Sequence, residues 1–82
     1  MNKRKLLEKI YNNKKNVKFN DFIIIVEAFG FSQIRTKGSH YIYARNDVYD
    51  LVNIQNEKGE AKPYQVTQFL NIIEKFNLKL ED

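Results

Sequence analysis

With 82 residues, 43 % of them hydrophobic and 13 % aromatic, the chain can form one modest core, burying roughly 60–65 % of its unfolded surface, and is too apolar for a disordered tail. It has no cysteine, which removes disulfides and thiolate metal sites and fits a reducing cytosol. No apolar run nears the ~18–20 residues that span a bilayer, and the charged N-terminus lacks the core of a signal peptide, so a soluble cytoplasmic protein is expected. The formal charge of +4 is unevenly spread: residues 1–18 carry seven Lys/Arg against Glu8 alone, a +6 arm on a body of −2. Such an arm attracts a polyanion such as nucleic acid; it also reads as a solvated helix face.

In chain order, Leu6, Leu7, Ile10 and Tyr11 recur at helical spacing among lysines and predict a short amphipathic helix from Asn2 to about Tyr11. It is too short to stand alone and needs the body or a partner to pack against. The polar run 12–16 reads as a linker, which divides the chain into an extension, 1–16, and a domain, 17–82. A second helix is expected to start with Asn20 as N-cap, Asp21 at the positive end of the dipole, and Phe19 stapled to Ile24. Phe22, Ile25, Val26 and Phe29 form its stripe, widened by Ile23, and Gly30 stops it.

From Phe31 the pattern turns to strands. The runs 31–36 and 39–45 are β-prone and separated by Lys37-Gly38, a hairpin signal. Asn46-Asp47 makes a second turn, and 51–55 supplies a third strand. Alternation puts Tyr41, Tyr43 and Arg45 on one face and His40, Ile42 and Ala44 on the other. The tyrosines are expected to pack inward because their rings bury more apolar area, leaving His40 on the open face beside the hairpin turn. The stretch 56–62 is polar throughout and reads as a loop. Pro63 then opens a last helix with Val66, Phe69, Leu70, Ile73 and Phe76 buried and Asn77 as its stop. The expected fold is α+β: a double-stranded-RNA-binding-like α-β-β-β-α unit with a three-stranded antiparallel sheet, preceded by an extra N-terminal helix.

His40 is the only histidine, and histidine is the side chain that exchanges a proton near neutral pH. The run Glu27-Ala28-Phe29-Gly30-Phe31, then Lys37-Gly38-Ser39-His40, then Lys62-Pro63-Tyr64-Gln65 before an apolar helix resembles the HicA family of bacterial toxins. The resemblance covers about residues 17–78, and the Gly-Ser-His turn is its most diagnostic piece. It implies an mRNA interferase on a double-stranded-RNA-binding-like fold. It also implies cleavage without a known cofactor, a catalytic histidine carried over to His40, and a HicB-type antitoxin as inhibitor. The chain departs from the family pattern twice. Many members read Gly-Ser-His-His where Tyr41 stands here, and many carry a further histidine where this chain has Gln55-Asn56.

RNA supplies its own nucleophile, the 2′-OH, so cleavage needs little beyond proton transfer and phosphate stabilisation. Neutral His40 can remove the 2′ proton, or its imidazolium can protonate the leaving 5′ oxygen, but one group cannot do both in one step. Tyr41, Lys37 or water must assist. Arg35, Lys37 and Lys62, with the Gly38-Ser39 turn, are the candidate RNA contacts; each cation also reads as an ordinary surface charge, and Tyr41 also reads as core packing. No metal site is expected, since Asp47 and Asp50 lie in a turn where acids are common, and no Gly-rich phosphate loop surrounds Gly59. The sequence points to a cofactor-free ribonuclease toxin that acts on mRNA as a monomer when free. A non-catalytic RNA-binding module on the same fold and a protein-interaction domain remain the alternatives.

Overall fold

The structure, a computed structural model, describes residues 2–81. Helix α1 (Lys3–Asn12) and helix α2 (Phe19–Ala28) lead into strands β1 (Ser32–Lys37), β2 (His40–Arg45), β3 (Val48–Glu57) and β4 (Glu60–Ala61), and helix α3 (Pro63–Lys75) follows. The four strands form one antiparallel sheet in the order β1-β2-β3-β4, consistent with the α-β-β-β-α fold expected. Each strand therefore pairs with its neighbour in sequence, and no connection crosses the sheet.

The core lies where α2 and α3 cover one face. Phe69 is its centre: its ring meets Phe22, Phe29 and Phe31 edge-on at centroid distances of 5.6, 5.8 and 5.6 Å, the geometry that aromatic quadrupoles favour. Val52, Ile54 and Tyr43 close this cluster from the sheet. The opposite face carries His40, Ile42, Leu51 and Asn53 and is left uncovered by helices. Leu6 and Ile10 of α1 belong to the same buried cluster, and the Tyr11 hydroxyl donates to Glu74 Oε2 of α3 at 3.5 Å. The leading helix is thus docked on the body, with Asn2 capping it through its side-chain oxygen at 2.9 Å from the Lys5 N–H.

Four local expectations are corrected. Helix α2 begins at Phe19, with Lys18 rather than Asn20 at the N-cap and no side-chain cap. Its first amide, Phe19 N–H, donates instead to Gly59 O at 2.9 Å, and Lys18 makes a bridge to Glu60, so a hairpin takes over the capping role. Ile24, expected to staple onto Phe19, is exposed; Phe19 packs on Tyr41 at 5.4 Å. The stretch read as a loop from 56 to 62 continues β3 and turns into β4, which makes the sheet four-stranded. Lys58 and Gly59 both take positive φ, 54° and 88°, the requirement of a two-residue type I′ turn. The first hairpin turns at Gly38-Ser39, because Lys37 is itself paired with His40.

Candidate active site

Gly38 holds the first central position of that turn at φ 60°, the conformation that a type II′ turn demands and that a side chain resists. The turn starts β2 at His40, and alternation sends its ring to the open face. There Asn53 reaches it from β3: His40 Nδ1 lies 2.9 Å from Asn53 Oδ1. Asn53 is paired with Ile42, and His40 with Gln55, so the two side chains are diagonal neighbours on one face, within reach across a ladder. Arg35, Lys37, Gly38, His40, Ile42 and Asn53 line a shallow depression. Its lining includes the buried Ile42 and two exposed cations, Arg35 and Lys37, and no carboxylate. Such a surface suits a phosphodiester, with a proton-transfer group at its edge.

The turn is fastened from beneath. Gln55 Nε2 donates to Ser39 Oγ at 3.3 Å, so the serine hydroxyl keeps its own proton for donation. The Gln55 backbone N–H lies on the edge where β4 stops, and it donates to Gln65 Oε1 at 2.8 Å. Gln65 is 2 % exposed, and its amide nitrogen reaches the Tyr64 hydroxyl at 3.4 Å. A buried glutamine in the first turn of α3 thereby extends the sheet's hydrogen bonding by one residue and ties the helix to the Ser39 turn.

A family model described as HicA toxin of bacterial toxin-antitoxin matches residues 19–75. The chain belongs to the HicA toxin family. The match begins at the first residue of α2 and ends at the last residue of α3, so it contains the whole sheet and His40, while α1 stands outside it. Comparison with curated proteins gave no match, and neither did comparison with solved structures. HicA proteins are toxins of toxin–antitoxin systems, and an RNA substrate and an antitoxin partner are what membership implies.

Within this HicA framework the residues singled out from sequence separate into two groups. Arg35, Lys37, Gly38 and His40 line one depression, with Ser39 in the adjoining turn. Tyr41 and Lys62 lie elsewhere. Tyr41 sits on the helix-covered face, paired with the fully buried Ile54 and packed on Phe19. Lys62 is at the N-cap of α3 with its ammonium 3.9 Å from Glu57 Oε2. Arg45, by contrast, is structural: it donates to Phe29 O at 2.7 Å at the end of α2 and pairs with Asp47 at 2.7 Å. Asn53 is not among the residues singled out from sequence, and Gln65 appears there only within the Lys62-Pro63-Tyr64-Gln65 motif, although Asn53 contacts His40 and Gln65 contacts Gln55. A separate cleft of about 110 Å³ between α1 and the following segment gathers Lys9, Lys15, Lys18 and Asp21 around Leu6, Ile10 and Val17, and it holds no histidine. Among the described residues, no group of three His, Cys, Asp or Glu is placed to hold a metal ion, and no helix is long and apolar enough to cross a membrane.

Proposed function

We propose that this HicA-family toxin is a cytoplasmic endoribonuclease that cleaves mRNA and is silenced by a HicB-type antitoxin. The observation that carries the reading is the only histidine of the chain, held at the rim of a depression whose charged side chains are both cationic. In the reaction as drawn, His40 Nε2 accepts the proton of the 2′-OH, and the 2′ oxygen attacks the adjacent phosphorus. The P–O5′ bond breaks, and the departing oxygen takes a proton from water or the Lys37 ammonium. The products are a 2′,3′-cyclic phosphate and a 5′-OH. Apart from water, no group outside the chain is needed to balance this step.

Lys37 and Arg35 lie beside the phosphate in this scheme and stabilise the charge that builds on its oxygens, a contribution that grows when donors are held in advance. The Ser39 hydroxyl supplies a neutral donor at the turn. Lys62 and the lysine-rich arm act at longer range, drawing the polyanion to the protein in a salt-dependent way.

The test is cleavage of a defined RNA by purified protein. His40→Ala should fold, bind RNA, and cleave ~10²–10⁴-fold more slowly, the range that general acid–base catalysis contributes. The fragments should end in cyclic phosphate, and RNA lacking the 2′-OH at the scissile nucleotide should resist. A folded His40→Ala protein cleaving at the parent rate would overturn the mechanism. Tight binding without any cleavage by the parent would leave an RNA-binding module.

A further inference from the structure

We propose that Asn53 is a positioning residue that sets the tautomer of His40. In a neutral imidazole one nitrogen carries the proton and the other a lone pair, and the partner of the first decides which is which. The atom of Asn53 facing the ring is its side-chain oxygen, 2.9 Å from Nδ1. An amide oxygen only accepts, so Nδ1 carries the hydrogen and Nε2 is left with the lone pair. Nε2 is then the basic atom, and it points away from the strand that holds the ring. This assignment rests on the reading of His40 as the proton-transfer group.

The choice of an amide has a chemical consequence. A carboxylate at this position would favour the imidazolium and push the base towards higher pH. A neutral oxygen selects the tautomer without adding a charge. The Nδ1–H···Oδ1 bond also survives when Nε2 takes up a proton, because both nitrogens are donors in the cation. The ring is therefore held by the same contact before and after proton transfer. The contact joins two adjacent strands of the sheet rather than two loops, which limits its play. The charged groups flanking the ring are Lys37 and Arg35 on β1, while β3 presents the neutral Asn53 and Gln55.

Because the chain has one histidine, the ring nitrogens of uniformly ¹⁵N-labelled protein give one pair of imidazole signals, readable on the full chain without RNA. Above its titration, wild-type His40 should show a protonated Nδ1 and an unprotonated Nε2. This is the reverse of free histidine, which favours the hydrogen on Nε2. Asn53→Ala should restore the free-histidine pattern and lower kcat by about 10–100-fold, the scale seen when a group orienting a functional histidine is removed. Asn53→Asp should keep the Nδ1–H form and much of the rate, and move the acidic limb of the pH–rate profile, where the base becomes protonated, upward by about one unit or more. Spectral dispersion reports that both variants fold. A wild-type ring with its hydrogen on Nε2, or an Asn53→Ala protein unchanged in both tautomer and rate, would overturn the assignment. An Nδ1–H ring in a protein that cleaves nothing would instead overturn the ribonuclease reading and leave the tautomer assignment standing.

Discussion

His40 and Tyr41 are consecutive in the chain, yet one faces the open side of the sheet and the other faces the helices. On the covered side, Tyr43, Val52 and Ile54 meet side chains from α2 and α3, and specificity comes from many apolar contacts that each contribute a little. On the open side, His40 Nδ1 on β2 and Asn53 Oδ1 on β3 meet at one defined distance, beside the cations Arg35 and Lys37 of β1. Substitution on the first face should therefore reduce stability and leave the chemistry of the remaining folded molecules intact. Substitution on the second should do the reverse.

The sharpest test of that division is Phe69→Ala. Phe69 is fully buried and touches three other phenylalanine rings, so truncation should cost about 3–5 kcal/mol, seen as a large fall in the urea midpoint. Activity per folded molecule should be unchanged under stabilising conditions. A loss below about 1 kcal/mol would mean that the helical layer does not depend on this hub.

A smaller effect concerns pH. Burial first, then the negative charge of Glu27, then Tyr41, push the Tyr43 hydroxyl above its ordinary value of 10.0. The folded state thus holds this proton more tightly than the unfolded chain. The associated stability is intact below pH 10.0 and is lost as pH rises from there through the raised folded value. Tyr11 is pushed the same way, by burial and by Glu74. Tyr43→Phe should therefore flatten the alkaline fall in melting temperature, and adding Tyr11→Phe should flatten it further. An alkaline fall as steep in the double variant as in the parent would remove both hydroxyls from the explanation.

The smallest expected effect is also the most direct check on the boundary between faces. Tyr41→Phe keeps the ring on Phe19 and removes only the hydroxyl, so RNA cleavage should persist near the parent rate. A loss reaching the ~10²-fold that general acid–base groups contribute would make Tyr41 the assistant of His40 and breach the division.

Much of this arrangement was legible in the sequence. Helix stops at Gly30 and Asn77, the inward Tyr43 and the outward His40 follow from periodicity and turn chemistry, and a turn precedes His40 where the Gly-Ser-His run places it. Strand β4 was hidden because Asn56, Glu57 and Glu60 are polar and exposed, so the pairing left no hydrophobic alternation to read. The start of α2 was misplaced because its first amide is satisfied by Gly59, a partner distant in sequence that no local capping rule detects. Asn53 could be assigned to a solvent-facing strand position but not to His40. Their meeting depends on the β2–β3 register, which includes an irregularity between Tyr43 and Arg45. Gln65 stands in the sequence as part of the Lys62-Pro63-Tyr64-Gln65 motif with no role attached, and only its burial beside the end of β4 reveals its use.

The unbroken meander of the sheet has a consequence for the order of folding during synthesis. Arg35, Lys37, His40 and Asn53 come from two successive hairpins, and hairpins of this kind close in about 1–10 μs. Helix α3, which completes the cover of their apolar side, is made after them, and at about 5–20 residues per second it follows on the order of seconds later. A nascent chain ending before Pro63 thus contains every residue of the candidate site but lacks both Phe69, which anchors the sheet, and Gln65, which steadies the Ser39 turn through Gln55. The parts become neighbours early and rigid late, so catalytic competence on the proposed mechanism arrives only as the ribosome finishes α3.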